Sequence, residues 1–259
     1  MQAEPQSTRA QAKSIISLLL TFTAAMVDIV AYITIYRSFV AHMTGTTVHL
    51  GNRLATGDWT QAAKAGATVG SFVAGSVLGR TIIEIGARGR DRSIAAVSLL
   101  IEAALILGAI WLQPGLLGHG EPSLWHVSTL LVLLAGAMGL QTATLTRIGP
   151  LTIHTTFVTG MLNKLAQTLS QWFFWIHGSR KQNVGFAAIL GQSLENKAFR
   201  QSRFMLAIWF TYMLGSVVGT WMNSRWSVHT LYLAVLVLVA AAVTDQVQPL
   251  SLEEETDQL

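Results

Sequence analysis

Cysteine is absent from this chain of 259 residues, which excludes disulfides, thiolate metal sites and thiol chemistry. Charge is scarce as well. Asp, Glu, Lys and Arg make up 12% of the residues, against roughly 25% in soluble domains. No G-x-S-x-G, no H-E-x-x-H and no glycine-rich nucleotide loop occurs, so the familiar signatures of hydrolases, zinc proteases and nucleotide enzymes are missing. An enzyme is not expected, and neither is a cofactor. A metal site is not expected from the histidines: His42 and His49 stand seven residues apart, and neither has an acid at helical spacing.

What is abundant is apolar length. Hydrophobic residues make up 51% of the chain, and they cluster in blocks. A hydrocarbon core about 30 Å thick needs roughly 20 helical residues. Segments at about 15–36, 66–86, 93–112, 127–146, 204–222 and 227–244 meet that need. Continuous apolar runs such as 128–138 lack the in–out alternation of barrel strands, so the class is all-α and polytopic. The first segment outlasts a signal-peptide core of roughly 7–15 residues and leads into further spans. It reads as a retained helix behind an N-terminal cytoplasmic segment at 1–14.

The charges are unevenly placed. Residues 1–244 carry all 17 bases against 8 acids, whereas the tail at 245–259 carries five acids and no base. The bases lie in short loops between apolar runs, the pattern of a membrane protein fixing its orientation, so nucleic acid is not expected as a partner. Loop 113–125 has no base and region 178–203 has five. Six spans with both termini cytoplasmic agree with the positive-inside rule better than the eight that result if both Thr-Gly segments cross, with Arg37, Arg53 and Lys64 as the discordant bases. Seven, with one segment crossing, is the remaining alternative.

The chain also repeats itself. FVAGSVLG at 72–79 matches YMLGSVVG at 212–219, and Met43-Thr44-Gly45 matches Val158-Thr159-Gly160. Each match follows a small-residue helix, TAAMVDIVA at 23–31 and LAGAMGLQTA at 134–143. The expectation is a duplication with halves at about 15–112 and 127–244. It takes the form of two inverted three-helix units, each with a Thr-Gly-containing broken or re-entrant helix. Duplications of this kind often place a site between the halves.

The candidate polar interior is Asp28, His42, Thr44, Gly45, Thr46, Gln141, His154, Thr159, Gly160 and Asn163. Asp28 lies within the first apolar segment, where an isolated carboxylate costs several kcal/mol, so it either meets a substrate or bonds another helix. Glu102 poses the same choice, with packing favoured. Gln141 is the nearest analogue of Asp28 in the second half. The Thr-Gly clusters suit either an unwound turn or a close helix contact. Gly75, Gly79, Gly215 and Gly219 form two GxxxG pairs, which point to helix packing within the chain or in a homo-oligomer.

An Asp in the first helix, Phe39-Val-Ala-His-Met-Thr-Gly-Thr-Thr, Ala137-Met-Gly-Leu-Gln-Thr-Ala and Thr155-Thr-Phe-Val-Thr-Gly occur in this order. With these motifs the chain resembles the YoaK-like family, bacterial membrane proteins carrying a domain of unknown function. The resemblance implies an inner-membrane location and supplies no substrate. His42, Thr46 and Thr142 stand where that family generally has Asn. The functional expectation is a small-solute transporter or permease with a site between the halves, its partners being the bilayer and a small molecule or ion. The alternative is a membrane interaction protein assembling through small-residue surfaces.

Overall fold

The computed structural model describes residues 4–35, 37–89, 94–112, 124–144, 147–148, 151–152, 158–181 and 186–247. The helices are α1 (Glu4–Thr34), α2 (Met43–Ala55), α3 (Trp59–Gly89), α4 (Ile94–Leu112) and α5 (Leu124–Thr144), then α6 (Val158–Lys181), α7 (Phe186–Glu195), α8 (Lys197–Trp226) and α9 (Leu231–Val247). Two residue pairs, β1 (Arg147–Ile148) and β2 (Leu151–Thr152), form a minimal antiparallel ladder between α5 and α6. Among the described residues five apolar stretches are long enough to cross a bilayer, and the last of them, Lys197–Gln246, runs over both α8 and α9. The chain is an all-α, multi-pass membrane protein.

Helices outrun the apolar segments that mark them. α1 begins at Glu4, so the segment expected ahead of the first span is helical from that residue on. Region 178–203, expected as a loop, contains α7. Asn196 ends it by capping α8, its Oδ1 accepting from the amides of Ala198 at 2.9 Å and Phe199 at 3.3 Å. Asp245 departs furthest from expectation. Assigned by sequence to an acidic tail, it is buried near the end of α9 and accepts the Ala96 amide of α4 at 2.8 Å. A carboxylate at a helix N-terminus satisfies a donor that the helix leaves open.

The core is built from the inner faces of α1, α4, α5 and α9, with Met26, Leu99, Ile106, Leu134, Met138 and Leu238 fully buried. The outer faces carry exposed Val73, Val77, Leu100, Trp111, Val217 and Leu236, the arrangement a lipid solvent allows because apolar surface has no reason to hide from it.

The pairings of helices come in matched sets. α3 packs on α5 and α8 on α1; α4 packs on α5 and α9 on α1; α2 packs on α3 and α6 on α8. Glycine permits the first pair of contacts. A Cβ built on Gly75 would collide with the carbonyl of Gly136, and one on Gly215 with the Phe22 carbonyl and the Ala25 side chain. Gly79 faces Leu140 and Ala143, as Gly219 faces Met26 and Ile29. Both pairs ascend in the same sense, so α3 runs parallel to α5 and α8 parallel to α1. The end of α5 meets the start of α4 through Thr144 Oγ1 and Ser98 Oγ at 2.8 Å, and the start of α4 meets the end of α9 through Ala96 and Asp245. These two contacts are antiparallel. Such reciprocal pairing suggests duplication.

The same contacts correct one sequence correspondence. Phe22 matches Gly136, Met26 matches Leu140 and Ile29 matches Ala143, a constant offset that puts Thr142, and not Gln141, opposite Asp28.

Candidate functional site: a cationic cavity beside a short helix

After Thr34 the chain does not turn directly into another helix. Residues 37–42 form a strap that folds back along α1, starting at Arg37 with φ +56°, a left-handed conformation uncommon for a side-chain-bearing residue. Asp28 fixes this strap. Its Oδ1 accepts the amide hydrogens of Val40 and Ala41, both at 2.8 Å, and its Oδ2 accepts the Tyr212 hydroxyl of α8 at 3.3 Å. Val40 and Ala41 are buried with it. The carboxylate is therefore spent on backbone donors that a buried non-helical segment would otherwise leave unpaired.

The strap delivers Phe39 and His42 to a fixed place. Phe39 stacks on Tyr32 with ring centroids 4.5 Å apart, and His42 lies 5.6 Å from Phe39. α2 begins at Met43 and has no buried residues. At 13 residues it rises only about 20 Å, less than a hydrocarbon core, so it does not cross by itself. Gly57 at φ +74° turns the chain. Asp58 then caps α3 by accepting the Gln61 amide at 3.2 Å, and its second oxygen holds Arg53 Nη1 at 3.1 Å.

Between the strap, α2 and the first turns of α3 lies a cavity of about 400 Å³. Among the described residues its charged lining is Arg37, Arg53 and Lys64, with no carboxylate. Ser38, His42, Thr46, His49, Gln61 and Thr68 supply polar atoms, and Leu131 of α5 closes one wall. The Arg53 Nε is buried without a hydrogen-bond partner. Thr46 Oγ1 bonds the carbonyls of Phe39 and His42 at 3.3 and 3.2 Å, tying strap to helix. A Cβ on Gly45 would collide with the His42 ring, so the glycine leaves room for the imidazole over the first turn of α2.

Of the residues singled out from sequence, His42, Gly45 and Thr46 meet at this cavity, while Asp28 and Thr44 do not line it. Gln141 is buried elsewhere, donating from Nε2 to the Leu20 carbonyl at 2.6 Å and so tying α5 to α1. Gly160 is the third residue of α6, as Gly45 is of α2. Thr159 and Asn163 are exposed on α6, which packs on α8 through Met161, Met205 and Ile208. His154 lies outside the described residues. Glu102 is fully buried in α4, and neither carboxylate oxygen has a hydrogen-bond partner.

Sequence reasoning missed Arg37, Arg53, Lys64, Gln61 and Thr68 as site residues. A signal for three of them existed: Arg37, Arg53 and Lys64 are the bases that fit the positive-inside count badly. Basic residues not placed for orientation are available for something else. Among the described residues no group of three or more His, Asp or Glu is placed to hold a metal ion.

Known proteins place the chain without assigning it a task. UPF0700 transmembrane protein YoaK of Bacillus subtilis (strain 168) is 27% identical over 171 residues, covering 65% of this chain and 72% of that protein. No solved structure matches. A family model described as a protein of unknown function (DUF1275) matches residues 16–244, the whole of the helical bundle apart from its ends, and the chain belongs to that family of multi-pass membrane proteins.

Proposed function

We propose that this protein is a small-solute permease that binds its substrate in the cavity between the strap, α2 and α3. The observation that carries the reading is the conjunction of a polar cavity of about 400 Å³ with a short helix that starts part-way along α1 and does not cross. Irregular backbone at membrane depth is tolerated where it is buried in protein or lines a cavity, and helices interrupted by such backbone hold substrates in transporters built from repeats. The reciprocal pairing supports two inverted three-helix halves, α1, α3 and α4 against α5, α8 and α9. Each half carries its Thr-Gly helix, α2 or α6, on the outside of its GxxxG helix. Both termini are then cytoplasmic, in the inner membrane, and the cavity opens toward the opposite face.

The halves are not equivalent in chemistry. Where Asp28 meets Tyr212, the second half has Thr142 and Phe72, so the polar anchor of a strap is present in the first half. A site in one half, closed by Leu131 from the other, follows from that asymmetry. Assembly through small-residue surfaces is the weaker reading, because Gly75, Gly79, Gly215 and Gly219 face α5 and α1 of the same chain.

The test begins with thermal stabilisation of the purified protein in neutral detergent by sugars, amino acids, organic acids, inorganic anions and quaternary amines. Whatever stabilises is then loaded into proteoliposomes. The expected result is counterflow of the same solute, reduced by cavity substitutions. Stabilisation without counterflow removes the permease reading.

A further inference from the structure

We infer that the cavity is an oxyanion site, so that the solute it takes carries a carboxylate or phosphate group. As a statement about substrate this rests on the permease reading; as a statement about binding it does not.

The lining is the first reason. Arg37, Arg53 and Lys64 converge on one space from three elements, the strap, α2 and α3, and among the described residues no Asp or Glu shares that lining. Three basic side chains facing one cavity, Arg53 with Asp58 behind it, make a field that draws an anion into that space. The acid beside the site, Asp58, is engaged by Arg53 Nη1 and the Gln61 amide, so it orients the guanidinium from behind.

The donor set is the second reason. Two guanidinium groups present planar forks that match carboxylate and phosphate oxygens. Ser38 and Gln61 add neutral donors around them. Asp58 holds Arg53 Nη1 at 3.1 Å, which fixes the orientation of that fork at the cavity wall. A halide would neutralise charge equally well but would leave the forked geometry unused.

The third reason is direction. The first turn of α2, at Gly45 and Thr46, lines the same space, and the start of a helix carries partial positive charge. Gly45 leaves room for the His42 imidazole over that turn. The volume, about 400 Å³, lies at the small end of the roughly 300–1,000 Å³ of ligand pockets, which suits a mono- or dicarboxylate or a simple phosphate.

Such a group can come from a free solute or from a lipid headgroup, and the experiment separates the two. The full chain in neutral detergent is titrated with phosphate, sulfate, acetate and succinate at constant ionic strength, with chloride as reference and choline and glycerol as controls. Bound phosphatidylglycerol is quantified after washing. The expected result is saturable stabilisation by at least one soluble oxyanion, with affinity lowered tenfold or more in Lys64→Gln and in Arg37→Asn. Asn is chosen because it tolerates a positive φ. Arg225→Gln, an exposed arginine stacked on Trp221 at 4.2 Å, is expected to bind as wild type. Retention of phosphatidylglycerol that is lost in Lys64→Gln, without soluble binding, would support the oxyanion site and assign it to a lipid. The inference is overturned if neither source binds better than chloride, or if both cavity variants bind like wild type while remaining folded by elution and melting. Oxyanion binding without counterflow would sink the permease reading alone. Counterflow of a neutral solute without oxyanion binding would sink the oxyanion site alone.

Discussion

The carboxylate of Asp28, in the body of α1, accepts the amide hydrogen of Ala41 at 2.8 Å across thirteen residues of chain. That bond, with its twin to Val40, converts an ionisable residue in an apolar helix into the anchor of a non-helical strap. Removing the acceptor orphans two buried amides at about 1–3 kcal/mol each. Asp28→Ala is expected to lower stability in detergent clearly. Asp28→Asn retains an oxygen in the same place and is expected to lose much less. Equal losses in thermal melts of the two variants would show that charge, and not the acceptor, holds the strap.

A second carboxylate acts at long range in sequence. Asp245 of α9 caps α4 at Ala96, and loss of a cap costs about 0.5–2 kcal/mol. Asp245→Ala is expected to destabilise by an amount of that order, with Asp245→Asn intermediate. Truncation from residue 248 onward is expected to leave melting unchanged, whereas truncation from residue 244 is not.

The glycine seams give a comparison with a built-in control. Gly75→Ala and Gly215→Ala place a methyl against the backbone of the facing helix, and overpacking of this kind costs about 1–3 kcal/mol or more. Gly70→Ala, also in α3, meets nothing within 4 Å and gains about 0.5–1 kcal/mol of helix propensity. Melting temperatures should fall for the first two and hold or rise for the third. A fall for all three would mean that the seam is not the cause.

Gly45→Ala separates cavity from scaffold. Its methyl meets the His42 ring and no backbone of another element, so the expected effect is a displaced imidazole and weaker oxyanion binding with little change in melting. A variant that binds like wild type would remove His42 from the site.

Orientation is open to direct measurement, since no native cysteine interferes. Arg90→Cys and Gly118→Cys are expected to behave oppositely in intact cells toward an impermeant thiol reagent, with labelling at 118 and none at 90. The reverse pattern would turn the protein over and place the cavity mouth on the cytoplasmic side.

The sequence by itself determined the solvent and the class. Apolar runs of bilayer length leave a helix as the way to satisfy backbone groups in lipid, and the six runs read from composition coincide with α1, α3, α4, α5, α8 and α9. The Gly-Ser-Val match was equally legible, because backbone contact demands glycine wherever it occurs. Tertiary structure decided what one-dimensional patterns cannot carry. Gln141 looked like the second-half analogue of Asp28, yet register is set by which atoms touch, and the glycine contacts put Thr142 at that position. Asp245 looked like a tail residue because acids follow it, yet the start of α4 drew it inside. Arg37, Arg53 and Lys64 looked like misplaced topology signals spread over 28 residues of sequence. Only the fold of a strap, a short helix and a turn brings their charges around one space, and convergence in space is the property that makes a site.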